Sequence, residues 1–250
     1  MRLGRFVMWY KKSELGKTKK LFVTLLLFFF LSIGFFLQAE PLSVQASGES
    51  WLTGYSYRKQ ITIDKTKVGG GLENESAFPV LVSFSSADIK ENVKANGADI
   101  RFTDSGGETE LPREIESYST DGSTGTIVAW VKTDLSYTTD TVIYIYYGNS
   151  EATEPAADST YGSQKVWDSN FREVYHLNNA SPNDSTAFQN NGTNTNVGAT
   201  TGKIGGAGNF TGTASYIDGF DHCVPDGSDC HLYIGGAGGQ RTICAWVNTT

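Results

Sequence analysis

The sequence predicts an all-β fold, and three observations carry that reading. Short runs rich in Val, Ile, Tyr and Phe recur along the chain. Gly, Ser, Thr and Asn punctuate them, and no long stretch keeps a helical period. In order, the predicted strands are YRKQITI (57–63), FPVLVSF (78–84), ADIRFTD (98–104), LPREIESY (111–118), TIVAWVK (126–132) and TVIYIYYG (141–148). DSGGE and DGSTG, between neighbouring runs, carry turn chemistry, with Gly where φ must be positive. Six strands within about 100 residues suggest a β-sandwich over 47–150.

The segment before these strands has a different composition. Residues 1–20 hold seven basic side chains against Glu14, and Leu21 to Leu37 is a run without a charge. Val44-Gln45-Ala46 then fits a small-x-small cleavage site. Residues 1–46 therefore read as a signal peptide. The alternative is an uncleaved N-terminal membrane anchor, because about 17 apolar residues is also the lower limit for spanning a bilayer. Both place the remainder outside the cytoplasm, in a secreted, periplasmic or cell-surface location.

Export also sharpens the charge. The chain has 20 basic and 27 acidic residues, net −7; without residues 1–46, 13 and 25 remain, net −12. Such a surface repels phosphate backbones, so nucleic acid is excluded as a partner. Calcium is compatible with it, held by loop carboxylates and carbonyls. Residues 151–165, in the small polar stretch NSEATEPAADSTYGSQ (149–164), read as a linker or long connection, and a second unit begins at Val166.

WLTGYSYRKQITI, FPVLV, NGADIRFTD, ELPREIESY, AWVK, IYIYYGN and VWD succeed one another from Trp51 to Asp168. In that order they resemble an uncharacterised family of bacterial exported domains of unknown function. The resemblance implies export and fusion to sugar-binding-type jelly rolls, or to proton-channel proteins of the ExbB and TolQ type. It brings no catalytic residues. Beyond Val166, the motifs VYHLNN, NDST, NNGT, GKIGGAGNFTGTASYI and TICAWVN resemble a LamG-like jelly roll of the concanavalin A-like superfamily. TICAWVN stands near the middle of that family's domain, so 166–250 corresponds to an incomplete jelly roll. The resemblance implies roughly 70–100 further residues for a complete sandwich.

Inside the second unit, GATTGKIGGAGNF (198–210) invites comparison with a phosphate loop. Three residues separate Gly198 from Gly202-Lys203 where a phosphate loop has four, and Ile204 stands where a magnesium-binding hydroxyl belongs. The sequence after it is strand-like. The stretch therefore reads as a tight β turn, and no nucleotide is expected.

Candidate site residues are few. Cys223 and Cys230 bracket VPDGSD and suggest a disulfide; His222 and His231 beside them make zinc the alternative. Cys244, among apolar neighbours, is expected to be a buried thiol, or else paired with a cysteine in the remainder of the incomplete jelly roll. Asp184, Asn191 and Asp218 are candidate calcium donors, with a β-turn role as the plainer reading. Tyr216 and Phe220 are candidate aromatic platforms for sugar rings. Glu114 and Glu116 lie on one strand face about 7 Å apart, near the spacing of glycosidase carboxylates. Ser119 stands where related glucanase strands carry a third acid, and the plainer reading is a solvated strand face. No G-x-S-x-G elbow accompanies His176, His222 or His231.

These residues leave an extracytoplasmic binding or adhesion module for glycans or surface polymers as the first expectation. An accessory domain of a proton-driven membrane complex is the alternative, and a glycoside hydrolase a remote third. N-terminal sequencing of the exported protein should begin at about Ser47. Recovery of an intact, cleaved chain from the cytosol would contradict the leader assignment.

Overall fold

Thr124–Leu135 has the burial alternation of a half-buried strand: Ile127, Ala129 and Val131 are fully buried, while Thr126, Val128, Trp130 and Lys132 are partly exposed. It is the centre of a sheet in the computed structural model of the chain. Residues 1–48 and 49–250 group as separate units, and the structure describes residues 50–71, 73–219 and 242–248. The apolar run 21–37 lies outside the described residues, among which no helix is long and apolar enough to cross a membrane.

All six strands predicted over 47–150 form, β2 and β5 with longer ends and β3 reduced to three residues. They are β1 (Tyr57–Ile63), β2 (Glu75–Ser86), β3 (Arg101–Thr103), β4 (Arg113–Asp121), β5 (Thr124–Leu135) and β6 (Thr141–Tyr147). Two antiparallel three-stranded sheets result, β1-β6-β3 and β2-β5-β4. Ile143, Ile145 and Tyr147 of β6 and Phe102 of β3 meet Val82, Ile127, Ala129 and Val131 of the other sheet in one apolar core. The fold is thus mostly β.

β6 is buried on both faces. Its second face, Tyr144 and Tyr146, is covered by Arg58, whose guanidinium carbon lies 4.4 Å from the Tyr144 ring centre and 4.6 Å from that of Trp51. One short helix, α1 (Ala87–Asn92), interrupts the strands. Ser86 caps it by accepting from the Ile89 N–H, and Ile89 anchors it in the core. Gly125 makes that docking feasible, since a Cβ there would sit 2.7 Å from the Lys90 backbone nitrogen.

The polar connection after β6 is fastened along its length. Lys94 donates to the carbonyls of Ser150 and Ala152, and Arg101 to that of Thr153. Arg113, fully buried, forks onto both carboxylate oxygens of Glu154 at 2.5 and 2.8 Å and gives its Nε–H to the Ile100 carbonyl. A bidentate guanidinium satisfies most of its donors this way, which makes its burial tolerable. Small and polar composition marks this stretch as a connection, while the arginines that fix it lie far off in sequence.

Residues 166–219 form two two-stranded antiparallel pairs instead of a third large sheet: β7 (Thr193–Thr195) with β10 (Tyr216–Asp218), and β8 (Gly198–Thr201) with β9 (Gly206–Asn209). The described part contains no jelly roll. GATTGKIGGAGNF is the β8–β9 hairpin, closed by the Gly202 N–H on the Gly205 carbonyl. Residues 242–248 have no secondary structure and are exposed, Ile243 and Trp246 at 78% and 76%. Cys244 is accordingly exposed, a correction to the buried thiol expected from its apolar neighbours: those neighbours pack on nothing among the described residues.

Glu154→Ala strands the Arg113 charge in the interior. It should cost about 2–3 kcal/mol in urea unfolding, against less than about 0.5 for Glu108→Ala on an exposed loop. Equal costs would show that the fork contributes nothing.

Candidate functional site

The site grows from an irregularity in β4. Ile115 pairs with Ala129 and Ser117 with Val128, which leaves Glu116 as the extra residue of a β-bulge. Arg113, Ile115 and Tyr118 face the core side of the sheet, opposite Val131, Ala129 and Ile127. Glu114, paired with Trp130, and the bulged Glu116 address the other face, where the chain from Val166 onward packs.

There the two carboxylates are buried, not solvated: their side chains are 13% and 2% exposed. This corrects the plainer sequence reading of a water-facing strand. The burial is tolerated because each carboxylate takes one indole N–H and one imidazole nitrogen. Glu114 Oε2 accepts from Trp167 Nε1 at 2.8 Å and lies 3.2 Å from His176 Nε2; its Oε1 accepts from Ser185 Oγ at 2.6 Å. Glu116 Oε2 accepts from Trp130 Nε1 at 2.6 Å and lies 3.3 Å from His176 Nδ1. His176 Nε2 is off the line of a straight hydrogen bond, so its contact with Glu114 is chiefly Coulombic.

An imidazole with an ionised carboxylate at each nitrogen is favoured in its doubly protonated form, because carboxylates only accept. Burial alone would lower its pKa, but Glu114 and Glu116 outweigh burial and hold it up at about 9. Burial pushes the Glu116 carboxyl up, yet His176 and Trp130 together bring it below the usual carboxylate range. Trp130, Trp167 and Phe171 shield the group, with the two indole centroids 5.3 Å apart. At neutral pH the cluster is an imidazolium between two carboxylates, net −1. A histidine held protonated at neutral pH is poorly placed to act as a general base, and Glu114 and Glu116 are each engaged by an indole and the imidazole.

Beside the cluster lies an open cleft of about 510 Å³, between the end of β4 (Glu116, Ser117, Tyr118) and the β8–β9 hairpin (Ala199, Thr200, Thr201, Gly206). Asn178 and Asn179 line it as well. Asn178 ties the parts together: its Nδ2 donates to the Glu116 carbonyl and its Oδ1 accepts from the Gly206 N–H. Leu177, Asn179 and Ala180 all have φ near +55°, a left-handed run that non-glycine residues rarely adopt. Gly205, at φ +55°, approaches so closely that a Cβ would sit 2.7 Å from Glu116 Oε1 and 2.8 Å from Asn178 Oδ1.

The other sequence candidates lie elsewhere. Asp184 and Asn191 do come together, Asn191 Oδ1 accepting from the Asp184 N–H at 2.9 Å. The Asp184 carboxylate already accepts from the N–H groups of Val174, Thr186 and Asn190 and from the Thr186 hydroxyl, the work of a loop organiser. Asp218 is exposed on β10, and no hydrogen bond joins it to that network among the described residues. Nor do those residues hold a group of three His, Cys, Asp or Glu suited to a metal. Tyr216 is half exposed on β10. Phe220, Cys223, Cys230, His222 and His231 lie outside the described residues.

Trp130, Trp167 and His176 are the site residues that sequence reasoning does not assemble, although each stands in a quoted motif (AWVK, VWD, VYHLNN). Every member of the cluster except Ser185 lies between residues 96 and 181, and that interval decides the comparison with known proteins. Residues 96–181 match the model of a domain of unknown function, DUF2341. The DUF2341 span runs past VWD to Ser181 and so takes in VYHLNN, which the sequence assigns by resemblance to the second unit. It brings no activity or partner with it. No curated protein and no solved structure matches the chain.

The sign of the His176 shift gives a pH test. Its folded pKa of about 9 stands above an unfolded value of 6.5, so its contribution is complete below pH 6.5 and lost as pH rises through 9. The stability gap between the wild type and His176→Gln should be about 3 kcal/mol larger at pH 6 than at pH 10. A gap independent of pH would refute the imidazolium.

Proposed function

We infer that the protein is an extracytoplasmic binding or adhesion module that takes carbohydrate or a surface polymer in the cleft between β4 and the β8–β9 hairpin. The observation that carries this reading is the lining of the cleft. Ser117, Asn178, Asn179, Thr200 and Thr201 offer hydroxyls and amides, the chemistry that pairs with sugar hydroxyls. A volume of about 510 Å³ suits one or two sugar units. The left-handed turn at 177–180 and the charge cluster beneath it hold this wall rigid, which lowers the ordering cost of binding.

Binding, not hydrolysis, is the reading because Glu114 and Glu116 are tied to indole and imidazole groups. Export rests on the leader at 1–46 and on the acidic balance of residues 47–250. Calcium is not required by the cleft: Asp184, the first calcium candidate, serves its own loop.

A glycan array probed with the full-length chain tests the reading. Thr200→Trp, a change at an exposed strand position on the cleft wall, should abolish binding with Tm shifted by no more than about 2 °C. Calcium chelation should leave binding unchanged. Silence across the array, or binding that survives Thr200→Trp, would count against the cleft.

A further inference from the structure

The cleft contains one charged side chain, and its sign limits what can enter. Among the nine residues that line it, Glu116 is the only one with a formal charge. Its side chain is 2% exposed, and Oε2 is committed to Trp130 and His176. Oε1 lies on the Gly205 side, where a Cβ would come within 2.7 Å of it. The carboxylate therefore lies buried beneath the cleft floor, under a lining that includes no cation. Lys203 sits in the turn of the β8–β9 hairpin, exposed and apart from the lining residues. The charges beneath Glu116 do not reverse its sign, since His176 is shared with Glu114 and the three groups sum to −1.

Resting on the carbohydrate reading, we propose that this cleft is selective for neutral saccharides and rejects uronate- or sulfate-bearing ones, with Glu116 as the residue that sets the selectivity. A uronate or sulfate would bring an anion close above this buried carboxylate, whose field is little screened, with no Lys or Arg in the lining to pair with it. The net charge of the exported region, −12, acts in the same direction at longer range and is screened by salt, whereas the field of the buried Glu116 carboxylate is screened far less.

The experiment is an array of neutral, uronic-acid and sulfated oligosaccharides, probed with the full-length wild type, Glu116→Gln and Thr201→Lys at 20 and 300 mM salt. The wild type should bind neutral members at least about tenfold tighter than acidic ones, and most of that gap should persist at 300 mM salt. Glu116→Gln should narrow the gap. Thr201→Lys adds a cation at an exposed wall position and should narrow it without touching the buried cluster, so the test survives if Glu116→Gln fails to fold. Equal or tighter binding of acidic members by the wild type would overturn the selectivity while leaving the carbohydrate reading intact. A gap unchanged in Thr201→Lys would do the same. Binding to no class would overturn both.

Discussion

One imidazolium held between two carboxylates organises this molecule. His176 meets Glu114 through Nε2 and Glu116 through Nδ1, and Trp167 and Trp130 close the remaining approach to each acid. Removing His176 leaves two buried carboxylates without their counter-charge, which is far more costly than removing an exposed ion pair. The cluster joins the bulged strand β4 to chain that lies about 60 residues further on. The left-handed turn at 177–180, the Asn178 contacts and the position of the β8–β9 hairpin all build outward from it. Its members come from the residues 96–181 that match DUF2341, with Ser185 added from just beyond.

A second buried charge acts in the opposite direction across the same strand. Arg113 points toward the core side of β4 and Glu114 toward the other face, as adjacent residues of a strand must. Arg113 fastens the 149–165 connection through Glu154, and Glu114 fastens the segment beyond it through Trp167, His176 and Ser185. A strand whose acidic face reads in sequence as solvated is thus covered on both faces at Arg113 and Glu114. The alternation in LPREIESY slips by one residue at the Glu116 bulge, and the face that carries Glu114 and Glu116 is turned to charge pairing in place of solvent.

The strands themselves are legible because period-2 alternation and Gly-rich turns are local signals; YRKQITI forms over the residues expected of it, and the other five differ mainly at their ends. Helix α1 escapes such reading because six residues carry less than two turns of periodicity, and its stability comes from Ile89 docking against Gly125. The site is legible only in pieces. REIES displays both acids, yet nothing local distinguishes a solvated pair from one whose partners, Trp130, Trp167 and His176, lie 14 to 62 residues away. Asp184 and Asn191 do meet in space, since short Asn- and Asp-rich loops bond to their own backbone. The expected burial of Cys244 fails for the converse reason: apolar composition says what a segment can bury, not whether a surface exists to receive it.

The organising role of the cluster stands or falls with the protonation state of His176, which imidazole titration by NMR reads directly. Three histidines give resolvable signals, and His176→Gln assigns the one of interest. This resonance should keep the shift of an imidazolium through neutral pH and titrate at about 9. A midpoint at or below 6.5 would mean that the carboxylates do not hold the charge, and would contradict the cluster as the organising contact.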